Sequence, residues 1–438
     1  MKKSAVIIGG GLGGLFTGAI LSKEGVDVTV IEKNTTVGGG LQSFTRFGEV
    51  FDTGMHVIGG MRPGGNIRRI CNYLGILDKI HIRDVDPDII DTLYFAEDKK
   101  TYNIAPGKEN FVKALAETFP EEEENLKRYV NAIFNIVDEV KLYNLRPEND
   151  FLATYSEEFM ISATDLIARY ISDERLRNVL GYVNPLYGGF RDATPAYIHA
   201  LISVLYITGP SRFEGGSGLF ANTLRDLIIE NNGKVITGDG VEHVSSEGKT
   251  ITSVTTRKGR RFSADYYICA IHPCTFLNLL DDPSLLPKAY RSRLNEIPNT
   301  YSAFTMNIKL KPGKFKYINH SSFYMSKYED VWSFGREDKE WPLGFLFMTP
   351  PEINQGEYSS KMIITAPMVW KEVKRWEETT VGRRGKEYEE WKKVCAEKLL
   401  DRITELYPDF RDYIEEINTA SPLTIRDYYG VKEGAMCG

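Results

Sequence analysis

The clearest chemistry in this 438-residue chain lies in the run Gly9-Gly10-Gly11-Leu12-Gly13-Gly14 and in an acid further on, Glu32. Gly9, Gly11 and Gly14 keep the spacing G-x-G-x-x-G, which serves the pyrophosphate of a dinucleotide. The first glycine makes the tight turn, the second lets backbone approach phosphate, and the third lets a helix pack on a strand. Glu32 follows Gly14 by eighteen residues, close to the ~20 expected of an acid that accepts hydrogen bonds from an adenosine ribose. An acid there disfavours a 2′-phosphate, and hence NADP. Spacing alone leaves FAD and NAD both open.

These residues need a strand before them, a helix after them and a second strand to carry the acid. Ala5-Val6-Ile7-Ile8 is a short apolar run of β-formers, as in a strand buried on both faces of a parallel sheet. Leu15 to Lys23 reads as the helix whose N-terminal amides would face phosphate, with Gly18 as a further close-packing point. Val28-Thr29-Val30-Ile31 is the second strand and ends on Glu32. Met1-Lys2-Lys3 and the uncharged stretch Ser4 to Ser22 imitate a signal peptide, but six glycines in that stretch each cost a helix about 1 kcal/mol.

Composition narrows the classes. The net charge is -6 and the hydrophobic and charged fractions are 42% and 26%, which argue against wholesale disorder and a multispanning membrane protein. A pI near 5.7 gives no basic field for nucleic acid. Cys71, Cys269, Cys274, Cys395 and Cys437 are an odd, scattered set without a CxxC pair. They suggest a reducing compartment, so the expected location is cytoplasmic, with no metal site. No Ser-His-Asp order, HExxH or P-loop supports a hydrolase, zincin or kinase.

After Glu32 come Lys33-Asn34-Thr35-Thr36-Val37-Gly38-Gly39-Gly40-Leu41-Gln42-Ser43 and Phe51-Asp52-Thr53-Gly54-Met55-His56. With the opening motif, this resembles the FAD-dependent family of phytoene desaturases, retinol saturases (all-trans-retinol 13,14-reductases) and flavin amine oxidases. The resemblance implies FAD as cofactor and an α/β fold with an α+β substrate part. The expected architecture is a Rossmann-like FAD-binding domain of the glutathione-reductase/amine-oxidase type with an inserted sheet-plus-helices substrate domain. The doublet Gly38-Gly39 would abut the flavin pyrophosphate. Many members carry Arg where this chain has Gly40, which removes one phosphate-side cation. His56 makes the second run more like retinol saturase than phytoene desaturase.

A second block, Gly215-Gly216-Ser217-Gly218-Leu219, opens an apolar-periodic helix from Phe220 to Glu230. Strand Lys234-Val235-Ile236, a Val241-Glu242-His243-Val244 turn, a hairpin through Ile251 to Arg261, and a strand at Asp265 to Ala270 follow. This order is similar to the second half of the family's FAD domain, where backbone at the Val241 position contacts adenine. The implied cofactor set is Gly9, Gly11, Leu12, Gly13, Gly14, Glu32, Lys33, Gly38, Gly39, Gly40, Leu41, Gly54, Met55, His56 and Val241. The implied FAD domain is 1–75 with 205–295 and 421–438, and the substrate domain is 76–204 with 296–420.

The intervening chain reads as helices at 111–118, 121–142, 162–171 and 196–206, with later strands at 301–311, 322–325 and 362–365 and a helix at 386–406. Glu121-Glu122-Glu123-Glu124 reads as a solvated first turn. Arg257 to Arg261 and Arg383 to Lys386 read as solvated basic turns. Phe151-Leu152 and Phe159-Met160-Ile161 are weighed for a peripheral membrane contact against ordinary burial, which is favoured.

The resemblance implies an FAD-dependent oxidoreductase moving a hydride between flavin and a C=C or CH–CH unit of an apolar, carotenoid- or retinoid-like polyene. An electron donor or acceptor, unidentified, would complete the cycle. A proton must accompany the hydride, and His56 is the candidate carrier, with a structural role as the competing reading; His199 is a weaker second. Alternatives are a flavin amine oxidase and a non-catalytic prenyl-binding protein of the Rab GDP-dissociation-inhibitor type. Family members continue for several dozen residues after a segment like Ser421 to Gly430, with a further flavin-contacting motif, so a longer gene product is expected.

Overall fold

The computed structural model describes residues 2–147 and 155–437. β1 (Ser4–Ile8) runs through Gly9 into α1 (Leu12–Lys23), which returns the chain to β2 (Asp27–Ile31). The sheet is parallel throughout, in the order Lys234–Ile236, β2, β1, Tyr266–Cys269. Its two faces are covered differently. Ile7, Val28 and Val30 pack under α1 and the helix Gly218–Glu230 with Leu15, Ala19, Leu224 and Ile228. Val6, Ile8 and Ile31 face Val241, Val244 and Val254. Burial on both sides is why these strands are continuous apolar runs, each full-sized side chain contributing about 1.5–3 kcal/mol. Gly18 is a close-packing point, since a Cβ there would lie 2.9 Å from Ile228 Cδ1 and 3.1 Å from Val30 Cγ2.

Val241 to Val244, expected as a turn, instead begins the strand Val241–Glu247. It pairs antiparallel with Thr250–Thr256, which pairs with Arg261–Phe262. A register shift between Val241 and His243 lets both valines be buried although they stand three residues apart.

The rest of the chain builds a seven-stranded sheet in the order Ile414–Ala420, Ser302–Leu310, Lys361–Met368, Gly344–Met348, Ser321–Met325, Asp91–Phe95, Lys100–Ile104. Only the contact between Ser321–Met325 and Asp91–Phe95 is parallel. Ser302–Leu310 does not alternate as expected; seven of its nine residues are buried, because it lies between two strands with both faces covered. The helix Lys386–Thr404 packs Cys395, Leu399, Leu400 and Ile403 against Phe304, Met306 and Ile308. Helices Glu123–Glu139, Ala163–Tyr170, Glu174–Leu180 and Ala196–Ile207 enclose a second core with Phe95, Phe323 and Trp332.

Two surface expectations are corrected and one is met. Phe159 is buried, as favoured, and stacks on Tyr197 with ring centroids 4.6 Å apart, while Met160 is exposed; the apolar pair at 151–152 lies outside the described residues. Glu122 is not solvated: its carboxylate accepts from the Ser172 and Asp173 amides and the Ser172 hydroxyl. Arg384 is buried against Thr379 and paired with Asp427, so that basic turn is partly a structural joint. Among the described residues, no helix is long and apolar enough to cross a membrane, and all five cysteines are free.

Candidate flavin site

The glycine turn sits at the C-terminal end of β1, where ligands of open α/β sheets bind. Gly9 has φ +106°, a conformation glycine adopts without strain. A Cβ on Gly14 would overlap the Gly9 carbonyl oxygen, so the third glycine is what lets α1 start here. Gly11 and Gly13 face outward: nothing lies within 4 Å of a Cβ on Gly13, and only the Gly39 Cα, at 4.0 Å, stands near one on Gly11. Bare backbone at the N-terminus of a twelve-residue helix is therefore presented to open space, with its unpaired amides and the positive end of the helix dipole. A phosphate fits that cradle.

Glu32 is 7% exposed. Its Oε2 accepts from the Gly10 amide and its Oε1 from the Asn34 amide, both at 2.8 Å. The acid thus pins the glycine turn to the loop after β2. A carboxylate offers about four lone-pair sites, so each oxygen retains one for a ribose hydroxyl. The loop before Val241 closes on the same place: the Gly238 amide donates to the Asn34 carbonyl, and a Cβ on Gly240 would lie 2.8 Å from Lys33 Cβ. Val241 is brought beside Glu32 and Lys33 despite two hundred intervening residues.

Gly38 docks on the glycine turn, its amide donating to the Gly10 carbonyl at 2.7 Å with φ +123°. A Cβ on Gly39 would lie 3.2 Å from Gly11 Cα. Gly40 and Gly54 line the next stretch, laced by the Met55 amide to the Gly40 carbonyl and the Thr53 amide to the Gln42 carbonyl. The Leu41 side chain is buried in the core, so only its backbone can serve a ligand. Leu12 and Met55 also pack on that core.

Beneath this loop is Asp52, whose Oδ1 accepts from Ser43 Oγ (2.7 Å), the Ser217 amide (2.8 Å) and Ser217 Oγ (3.0 Å). This explains the second glycine block. Gly216 and Gly218 must be bare because a Cβ on either would lie 2.8 Å from Ser43 Oγ. His56 Nδ1 lies 3.9 Å from Asp52 Oδ2, an electrostatic contact too long for a hydrogen bond, and that nitrogen has no other partner. Burial works to raise the Asp52 carboxyl, but His56, Ser43 and the Ser217 amide outweigh it and hold the group below its usual range. His199 is placed elsewhere, fully buried between Tyr129 and Tyr187, and burial pushes it down to about 4. It takes no part in this site.

The segment 421–438, assigned to the FAD domain from sequence, supplies a helix that the sequence reading did not name. The helix Pro422–Tyr429 lays its C-terminal end over the dinucleotide loops. Lys33 Nζ donates to the Asp427 carbonyl, Asn34 Nδ2 to the Tyr428 carbonyl and Thr275 Oγ1 to the Gly430 carbonyl, each at 2.9 Å. Lys33 is thereby committed to the helix end as well as to the cofactor loop. The Tyr429 hydroxyl rests against Gly54, and Ser421 with Thr424 forms the capping box that starts the helix. That Ser-Pro-x-Thr start is legible in sequence; where the helix docks is not.

A parallel sheet with an open glycine turn and a buried carboxylate at the ends of its first two strands, together with a larger mixed sheet, is an arrangement that a dinucleotide cofactor fits. The sequence profile of the flavin containing amine oxidoreductases matches residues 12–334, and the chain belongs to that family; its cofactor is a flavin. The all-trans-retinol 13,14-reductase of Rattus norvegicus is 28% identical, over 100% of this chain and 77% of that protein. Prolycopene isomerase 1 of an Oncidium hybrid cultivar is 23% identical, over 98% and 74%. An oxidoreductase from Methanosarcina mazei has the same fold, with a TM-score of 0.63 and 18% identity over 96% of this chain and 88% of that one.

Proposed function

We propose that the protein is an FAD-dependent oxidoreductase that moves a hydride between flavin and a C=C or CH–CH unit of an apolar, retinoid- or carotenoid-like polyene. The observation that carries the cofactor assignment is the open backbone at Gly11 and Gly13 beside the pinned carboxylate of Glu32. Relatives named for all-trans-retinol and prolycopene support the substrate class. In this reading residues 1–75, 205–295 and 421–438 hold the cofactor, and 76–204 with 296–420 hold the substrate.

Bound FAD supplies or accepts the hydride. The chain's own residues do the rest. The Gly9–Gly14 turn and Gly38–Gly40 bind the phosphates, Glu32 binds the ribose, and the Asp52–His56 loop lies toward the reacting end. Saturation needs a proton on the second carbon, and His56 is assigned that transfer. Asp52, held ionised by Ser43 and Ser217, lies 3.9 Å from its Nδ1. Met348 and Ile363 of the large sheet pack on Phe51 at the start of that loop.

Purified protein should be yellow with a two-band flavin spectrum, and heat-released cofactor should be FAD. A colourless preparation that takes up no added FAD would contradict the reading and favour a non-catalytic lipid binder.

A further inference from the structure

Away from the flavin site, a cavity of about 390 Å³ lies where the segments assigned to cofactor and to substrate meet, a common setting for ligand pockets. One wall is the loop from Gly60 to Asn66 with the first turn of the helix Asn66–Leu74, reached from His56 through the strand Val57–Ile58. Opposite stand Phe134 and Val137 of the helix Glu123–Glu139, the turn carrying Tyr143 and Asn144, and Val204 in the last turn of Ala196–Ile207. Neither the glycine turn nor Glu32 nor His56 lines it.

The walls are held in place without a ligand. The Arg68 amide donates to the Gly60 carbonyl and the Gly65 amide to the Arg62 carbonyl, both at 2.9 Å, so the loop is closed on itself. A Cβ on Gly65 would overlap the Gly60 carbonyl oxygen. Asn66 Nδ2 donates to the Tyr143 carbonyl at 3.1 Å and Arg69 Nη2 to the Asn144 carbonyl at 3.0 Å, which ties the helix to the opposite turn.

The charges do not balance. Arg62, Arg69, Lys108 and Asp138 line the cavity. Arg62 is neutralised by Asp84 at 2.6 Å, and Asp138 is met by Arg146 at 3.7 Å. Arg69 and Lys108 are left, and among the described residues neither has an acid: Arg69 bonds a carbonyl, and the Lys108 ammonium stands 3.9 Å from the centre of the Phe134 ring. Two uncompensated positive charges thus face one hollow above an apolar floor of Phe134, Val137 and Val204. A carboxylate would neutralise one of them. A phosphomonoester, with a charge of about −1.5 to −2 at pH 7, neutralises both, and its oxygens suit the fork of a guanidinium.

We propose that this cavity binds an organic phosphate, Arg69 and Lys108 holding the phosphoryl oxygens and the apolar floor taking the esterified group. The site is independent of the polyene reading and adds a second kind of ligand to the protein.

The test uses the FAD-loaded full chain, so that the glycine turn is filled, and measures binding of phenyl phosphate, benzoate and inorganic phosphate by calorimetry at pH 7. Wild type should bind one phenyl phosphate per chain, at least tenfold tighter than benzoate, which lacks the second charge, and than inorganic phosphate, which lacks the apolar group. Lys108→Met and Arg69→Met should each weaken phenyl phosphate at least tenfold and leave the flavin spectrum unchanged. Lys127→Met removes a cation of the same lobe that lies outside the cavity, and should bind as wild type does. If Arg69→Met fails to fold for want of its bond to Asn144, Lys108→Met decides. The site is overturned by the absence of saturable phenyl phosphate binding, by benzoate binding as tightly, by unchanged affinity in Lys108→Met, or by an equal loss in Lys127→Met; each of these leaves the flavin and polyene readings standing.

Discussion

The Tyr429 hydroxyl occupies the space that a side chain on Gly54 would need, with its ring carbon Cζ 3.4 Å from that position. The relationship joins the far end of the described chain to the loop that carries His56, and it makes the bareness of Gly54 a packing requirement. Gly54→Ala should destabilise the fold by about 1–3 kcal/mol through overpacking. Removing the hydroxyl leaves only an ordinary van der Waals contact, so Tyr429→Phe combined with Gly54→Ala should recover most of the loss. Urea midpoints of the two single variants and the double variant measure this coupling, and strict additivity would refute it.

The glycines of the first turn should separate into two classes. Gly14→Ala forces a methyl group into the Gly9 carbonyl and should lower both the melting temperature and FAD affinity. Gly11→Ala meets no protein atom closer than 4.0 Å and has a backbone that alanine accepts, with φ -73°. Its melting temperature in the absence of cofactor should be unchanged, while FAD affinity falls tenfold or more because the methyl group stands where phosphate approaches. Flavin fluorescence titration with parallel melting curves distinguishes the two. Equal FAD affinity in Gly11→Ala and wild type would remove the phosphate assignment.

His199 should dominate one part of the acid stability curve. In the unfolded chain its imidazole takes up a proton near pH 6.5, and in the fold only near 4. Between those values the unfolded state binds more protons, so stability falls as pH falls, by about 1.4 kcal/mol per unit. The stabilisation is complete above pH 6.5, and about 2 kcal/mol of it should be gone at pH 5. Urea unfolding at pH 7 and pH 5 should show this for wild type, with the slope reduced by one proton in His199→Gln. An equal slope in both proteins would place the titration elsewhere.

What was legible in sequence follows from the range of the interactions. The turn from β1 into α1 and the carboxylate at the end of β2 are local, because each glycine and apolar run meets its partner within a few tens of residues. Val241 became legible only through the family resemblance, since its approach to Glu32 is made by the parallel pairing of Lys234–Ile236 with β2. The hairpin Asp91–Ile104 was missed because its strands mix Asp, Thr, Lys and Asn with inward-facing Leu93, Phe95 and Tyr102, which blurs the apolar signal. Arg384 and Glu122 show the same limit from the other side. Each reads as a solvated charge, and each is buried because a distant segment, at Asp427 or Ser172, arrives to bond it.

The central claim is that this chain exchanges a hydride between flavin and a conjugated polyene. It is tested most directly by mixing the FAD-loaded protein anaerobically, once photoreduced and once oxidised, with polyene alcohols and with amines, while following flavin and polyene absorbance together. The account predicts flavin turnover with a polyene, accompanied by a shift of the polyene band that corresponds to one double bond lost or gained. Flavin that exchanges with no polyene, but is reduced by an amine and returns peroxide in air, would contradict it.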